Sequence, residues 1–329
     1  MTMCFCPRGS LAINISSVVP ATLHLHPSLQ GMVVESVLRN GTRQQVLQVQ
    51  HKNDTAFLKC FLGTNAAQRR EAASMRLRQA GKVMDGENQV VRALVELAEC
   101  NVLIMSQAPG RPMRDIFLTA DAEQRRAIVQ RAGEWLGCLI TGREKRAVQA
   151  WKWYFSLSKF ASRYASDPSI NTQLLRNHLT LMERTTRQLH HQQVEFGISH
   201  GDFHSENIFI AEEGERLILT GIDMEIADPI PVAHDLARML VWLQSDMTPA
   251  PDRKSGIDRT LFDSLCGSHG PISTIERLAI HFHIGKNLLE FYLRRGARLP
   301  ELRPKMEIAM TYWANCKVNR LTLNVRRDS

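Results

Sequence analysis

Between His200 and Asp223 the chain reads HGDFHSEN, then IFIAEEGERLILT, then GID. Two short apolar segments flank Gly214, which predicts a β-hairpin with that glycine in its turn. A hairpin returns the chain to its starting point. Asn207 and Asp223, at its two open ends, are therefore expected side by side, with Asp202 in the loop just ahead of the first strand. An amide oxygen beside a carboxylate makes a hard-oxygen site suited to Mg²⁺. Asp202 is placed to accept a proton from a hydroxyl. A base and a metal site for a nucleoside triphosphate are the parts that phosphoryl transfer needs.

The segment from Met32 to Met105 predicts an antiparallel sheet with one helix. MVVESVL reads as a strand and RNGT as a turn; QQVLQVQH alternates polar with apolar; KND turns; TAFLKCF is a third strand. AAQRREAASMRLRQA is rich in helix formers and stops before Gly81. VRALVELA and NVLIM read as two more strands joined at Glu99 to Asn101. Pro109, Gly110 and Pro112 then mark a linker. Beyond it AEQRRAIVQRAGEWLGCLI has helical spacing, and a long helical stretch from Trp151 to His191 leads into HGDFHSEN. Helices are expected from Asp235 to the end. The division is a tail over 1–30, an N-terminal lobe over 31–108 and a helical C-terminal lobe over 109–329.

Composition narrows the class. No apolar run reaches the roughly 18 residues of a spanning helix, and the first thirty residues show no secretion signal. Seven scattered cysteines fit reduced thiols in the cytoplasm. Cys4, Cys6, His24 and His26 match no common zinc spacing. The net charge of +8 favours anionic partners but is spread over several helices, so neither a nucleic-acid surface nor membrane insertion is expected. Oligomeric state has no signature in the sequence.

His-Gly-Asp, four residues, Asn, a hairpin and Ile-Asp together resemble the aminoglycoside phosphotransferase and choline kinase superfamily, small-molecule kinases with a protein-kinase-like fold. GIDMEIADPIPVAHDLA is similar to the metal-binding segment of that superfamily and the Asp-Leu-Ala that follows it. The resemblance implies an α+β, two-lobed fold: a five-stranded antiparallel sheet plus one helix, then a mainly helical lobe carrying the catalytic hairpin. It implies Asp202 as catalytic base, Asn207 and Asp223 as metal ligands, His200 as an orienting residue and Asp235 as a structural acceptor for the catalytic loop. In this fold a lysine on the third strand grips the donor phosphates and a helix glutamate holds it, positions matched by Lys59 and Glu71. Glu35 and Arg70 compete for the role of Glu71. The backbone of Ser106 and Ala108 would meet the adenine edge, with Met105 behind it.

His204 reads as a loop-structuring residue, and Trp151, Trp153, Tyr154 and Phe155 as helix packing more than a substrate wall. Two departures stand out. The phosphate-covering turn RNGTRQQ has one glycine and is no Walker loop, and ADPIP replaces Gly-Asp-Pro while keeping Asp228. The expected activity is transfer of the ATP γ-phosphate to a hydroxyl of a sugar, amino sugar, amino alcohol or related metabolite, with Mg²⁺. The alternative is a weak or non-catalytic nucleotide-binding regulatory protein on the same fold.

Overall fold

A computed structural model describes residues 27–29, 32–214, 216–247, 252–296 and 299–316. The expected tail, with Cys4, Cys6, His24 and His26, lies outside these residues apart from 27–29. The chain forms two compact units. The first takes Met1–Pro109 and Thr220–Ala227; the second takes Gly110–Leu219 and Asp228–Ser329.

The first unit is built on β1 (Val33–Asn40), β2 (Gln44–His51), β3 (Asp54–Phe61), α1 (Ala66–Ala80), β4 (Asn88–Val90), β5 (Ala93–Leu97) and β6 (Val102–Ser106). Five of the strands form an antiparallel sheet in the order β1-β2-β3-β6-β5. Period-two alternation sends Leu47, Val49, Ala56, Leu58, Cys60, Val102 and Ile104 into one core. Lys59, between Leu58 and Cys60, must face the other way. It sits on the central strand, flanked in register by Val46 and Leu103. The turn between β2 and β3 is a two-residue loop in which Lys52 and Asn53 both have positive φ, the geometry that matches strand twist. The Asn-Gly pair before β2 instead ends in a wider loop, closed by the Gly41 amide on the Gln44 carbonyl.

The second unit runs through β7 (Arg111–Pro112), α2 (Met113–Thr119), α3 (Ala122–Leu139), β8 (Thr141–Ala147), α4 (Ala150–Ala161), α5 (Thr172–Leu189) and β9 (Gln193–Ile198). It continues with β10 (Ile208–Glu213), β11 (Arg216–Gly221, its last two residues in the first unit), β12 (Ile230–Pro231) and α6 (Val232–Asp246). It closes with β13 (Arg253–Lys254), β14 (Ile257–Asp258), α7 (Arg259–His269), α8 (Thr274–Arg294) and α9 (Arg303–Ala314). Helix starts are set by side chains: Asp121 with Gln124 and Ser273 with Glu276 form capping boxes, and Asn171 caps α5. α6 packs on α8 and α3 on α7.

Two small sheets hold the strands on either side of the HGDFHSEN loop. β11, β10 and β7 are neighbours, as are β12, β9 and β8. The hairpin expected after Asn207 is β10 and β11, with Gly214 at φ 63°. Gly110 is required where the linker meets it: at φ 82°, any Cβ would lie 2.0 Å from the Ile210 carbonyl oxygen. The helical stretch from Trp151 to His191 is α4 and α5, but two strands that the sequence did not mark bracket it. β8 precedes α4 and β9 follows α5, paired antiparallel from Thr141↔Ile198 to Ala147↔Gln193. The reason is visible in β8, TGREKRA. It is exposed at six of its seven positions, so no apolar alternation marks it as a strand.

Candidate active site

The HGDFHSEN loop starts where β9 ends. Ser199 and His200 are fully buried, and Gly201 turns the chain at φ 85°. Asp235, in the first turn of α6 and fully buried, pins this turn. Its Oδ2 accepts the Ser199 hydroxyl at 2.6 Å and the Gly201 amide at 2.9 Å, and its Oδ1 meets His234 Nδ1 at 3.1 Å. Burial alone would raise the Asp235 pKa. The bond to His234, the His234 and His200 rings and Ser199 outweigh it and hold the carboxyl at about 2.

On either side of Asp202 the chain is anchored inward. His200 Nδ1 accepts the Asp202 amide at 3.3 Å, and Phe203 stacks on Trp135 with ring centroids 5.7 Å apart. That leaves the Asp202 side chain outward, 40% exposed. Its Oδ1 is paired with Arg238, and its Oδ2 lies 3.6 Å from His204 Nε2. Burial works to raise its pKa, but contact with His204 and the charge of Arg238, with His200 behind them, hold the carboxyl well below the usual carboxylate range. Asp202 is therefore an acceptor at any neutral pH. Asn207 closes the loop: its Nδ2 donates to the Asp202 carbonyl at 2.9 Å and its amide to the His204 carbonyl at 2.9 Å. The side-chain oxygen is the Asn207 atom left for a cation. His204 is buried, stacks on Trp242 at 3.9 Å and accepts the Glu206 amide, the geometry of a loop-structuring ring.

In the first unit, Lys59 has a side chain only 5% exposed and meets two carboxylates, Asp223 and, at 2.5 Å, Glu225. Burial lowers the pKa of Lys59, yet the two carboxylates together raise it, so the ammonium stays charged. One ammonium against two carboxylates leaves a net charge of −1, which a further cation would neutralise. Asp223 itself sits in the left-handed region at φ 61°, an uncommon conformation for a non-glycine residue. Among the described residues no group of three or more His, Cys, Asp or Glu side chains forms a metal cage. Mg²⁺ on a nucleotide needs none, since one or two carboxylates with phosphates and waters complete its shell.

The ion pair expected between Lys59 and Glu71 is absent among the described residues, and Glu71 is exposed. α1 turns Ala66, Arg70, Ala73, Ser74 and Leu77 inward. Arg70 pairs with Glu96 of β5, and Ser74 donates to the same carboxylate. Glu71 is about 100° round the helix from Arg70, off the packed face. Ser106 has its amide on the Arg92 carbonyl at 2.9 Å, while Ala108 is buried; Met105 lies in register with Phe57 and Ala93. Arg238, Trp242 and Glu225 were not singled out from sequence. The signal for the first two was there. They follow Asp235 by three and seven residues, on one face of the same helix.

A sequence model of a phosphotransferase enzyme family matches residues 35–261, more than half of the chain. No curated protein matches. Among solved structures, a choline/ethanolamine kinase family protein from Mesorhizobium loti superposes with a TM-score of 0.55 at 16% identity, covering 92% of this chain and 94% of that one. The GDP complex of wild-type aminoglycoside 2′-phosphotransferase-IIIa gives 0.57 at 14% identity, over 86% and 93%. The apo form of a thermostable mutant of aminoglycoside phosphotransferase APH(4)-Ia gives 0.53 at 12%, over 85% and 93%. At these identities the likeness is one of fold: an α+β, two-lobed, kinase-like architecture.

Proposed function

The chain belongs to the phosphotransferase enzyme family, and we propose that it transfers the γ-phosphate of ATP to a hydroxyl of a small molecule. The observation that carries this reading is Asp202: an ionised, outward carboxylate on a loop pinned by Asp235 and Asn207. Phosphoryl transfer passes through a loose transition state, so the protein contributes mainly position and charge. Asp202 orients the acceptor hydroxyl and takes its proton. Lys59 neutralises the donor phosphates. Asn207 and Asp223 are the residues that would hold Mg²⁺, which supplies further neutralisation of those phosphates. Ser106 and Ala108 would face the adenine edge, with the Ala108 backbone as the better placed of the two because the Ser106 amide is already engaged.

The acceptor class is a sugar, amino sugar, amino alcohol or related metabolite. Its support is the shared fold of the choline/ethanolamine kinase family protein and the aminoglycoside phosphotransferases. Free thiols at Cys60, Cys100, Cys266 and Cys316 support a cytoplasmic setting. The test is ADP release by the purified full-length chain with ATP and Mg²⁺ over a panel of such alcohols. Stimulation by one of them, lost in Asp202→Asn, is the expected result.

One observation favours a second reading, a nucleotide-binding regulatory protein with little turnover. Arg238 occupies one oxygen of Asp202, as a clamp on an idle base would. Nucleotide binding with no stimulated ADP release from any alcohol in the panel would support that reading over the kinase.

A further inference from the structure

Lys59 takes both of its carboxylates from one short segment, Asp223 and Glu225, and none from α1. We propose that Glu225 is the positioning residue for Lys59, filling the place that a helix glutamate was expected to fill. The proposal rests on the phosphotransferase reading of Lys59 given above.

Two observations carry it. The first is that α1 cannot supply the acid. Its inward charged positions, Arg70 and Arg76, are both basic, and Arg70 is buried against Glu96, so the ion pair between helix and sheet has reversed polarity. The second is the anchoring of the Asp223–Glu225 segment. Met224, between the two carboxylates, is 1% exposed, which fixes the segment at its middle while both neighbours reach Lys59. A buried ammonium needs a lasting counter-charge. If Asp223 shares its charge with a cation, Glu225 is the carboxylate that stays with Lys59. The Phe61 ring, 5.4 Å from the ammonium, adds a weaker contact.

The experiment is a pair of double-mutant cycles in the full-length protein, Lys59→Met with Glu225→Gln and Lys59→Met with Glu71→Gln. Each is read by urea unfolding, by ATP KM and kcat, and by equilibrium binding of a fluorescent ATP analogue in EDTA. Contacting charges typically couple by severalfold or more in an equilibrium constant. The Glu225 cycle is expected to be non-additive in unfolding by at least about fivefold, and the Glu71 cycle additive. Glu225→Gln should raise ATP KM about tenfold, with a smaller fall in kcat, should weaken the analogue in EDTA, and should do neither in the Lys59→Met background. Glu225→Asp should restore part of the loss.

Additive effects of Lys59→Met and Glu225→Gln overturn the proposal. So does a Glu225→Gln defect confined to the Mg²⁺ titration with analogue binding in EDTA unchanged, which would make Glu225 a metal ligand. A wild-type chain that binds no ATP removes the functional reading, and the unfolding cycle then decides by itself whether Glu225 holds Lys59.

Discussion

Asp202 and Asp235 are both ionised carboxylates at one loop, yet their surroundings assign them opposite work. Asp202 faces out and can meet a substrate; Asp235 is sealed and holds two donors of the loop. Asp202→Asn should keep the fold, at the cost of the ion pair with Arg238, and lower turnover by about 10²–10⁴, the usual worth of a positioned proton acceptor. ADP release at wild-type rate from that variant would remove Asp202 from the mechanism. Asp235→Ala removes the acceptor shared by the buried Ser199 hydroxyl and the part-buried Gly201 amide, at about 1–3 kcal/mol for each hydrogen bond lost. It should therefore destabilise by several kcal/mol in urea and also abolish turnover. The depressed pKa of Asp235 carries its own signature. Its ordinary value is 3.8 and its folded value about 2. The unfolded chain thus binds the proton first. The stability Asp235 contributes, about 2 kcal/mol, is present above pH 4 and lost as pH falls toward 2.

α6 acts on the HGDFHSEN loop as one surface. Asp235 holds Gly201, Arg238 pairs with Asp202, Trp242 stacks on His204, and Asp246 takes Arg114 in two bonds of 2.8 Å. These residues follow one another by three, four and four, the spacing of a single helical face. Arg114 closes the circuit, since its amide donates to the Ser205 carbonyl of the loop. Trp242→Ala removes the ring that His204, Phe291 and Arg295 all pack on. The expected cost is about 3–5 kcal/mol in urea unfolding, with a fall in kcat because the loop loses a wall. Trp242→Phe should recover most of both. A variant that loses stability but keeps full kcat would show that the stack supports the core and not the loop. This face was half legible in the sequence. Asp235 was found because a motif pointed to it. Arg238 and Trp242 were not, although the helical period placed them beside it. The sheet around Lys59 was legible because β2 alternates apolar with polar residues and β3 and β6 are short apolar runs between turn signals. β8 was not, because its charges face solvent on both sides. Glu71 misled for a related reason: sequence shows that a glutamate lies on the helix after Lys59, but only packing shows that Arg70 faces inward.

The whole chain carries a net charge of +8 with 12 histidines counted as neutral, so its response to acid depends on where those rings sit. Three of them are held neutral in the second unit. His178 is buried in α5, with its Nε2 2.9 Å from the Gly285 carbonyl oxygen and the Trp313 ring packed against it at a tilt. Burial pushes its pKa down to about 4, against an upward pull from that carbonyl. His269, at the end of α7, is also lowered to about 4, by burial and by the charge of Arg143. His283, in α8, is driven down by burial and by His234 and Lys286, against the pull of Asp235. All three have an ordinary value of 6.5. Below that pH the unfolded chain takes protons that the folded second unit refuses. Stability is therefore full above pH 6.5 and falls as the pH drops toward 4, with His178 alone contributing about 3 kcal/mol to the loss. His269 is partly exposed, so solvent screening makes its share smaller. Urea midpoints should fall steeply between pH 7 and about 4.5. Hydrogen exchange over the same interval should quicken in α5 and α8, where His178 and His283 sit, well before it quickens in β1 to β6. The first unit has no buried imidazole among its described residues. A urea midpoint that holds level from pH 7 to 4.5, or exchange that rises equally in both units, would mean that His178 and His283 accept protons in place and that the second unit is not the acid-sensitive part of the molecule.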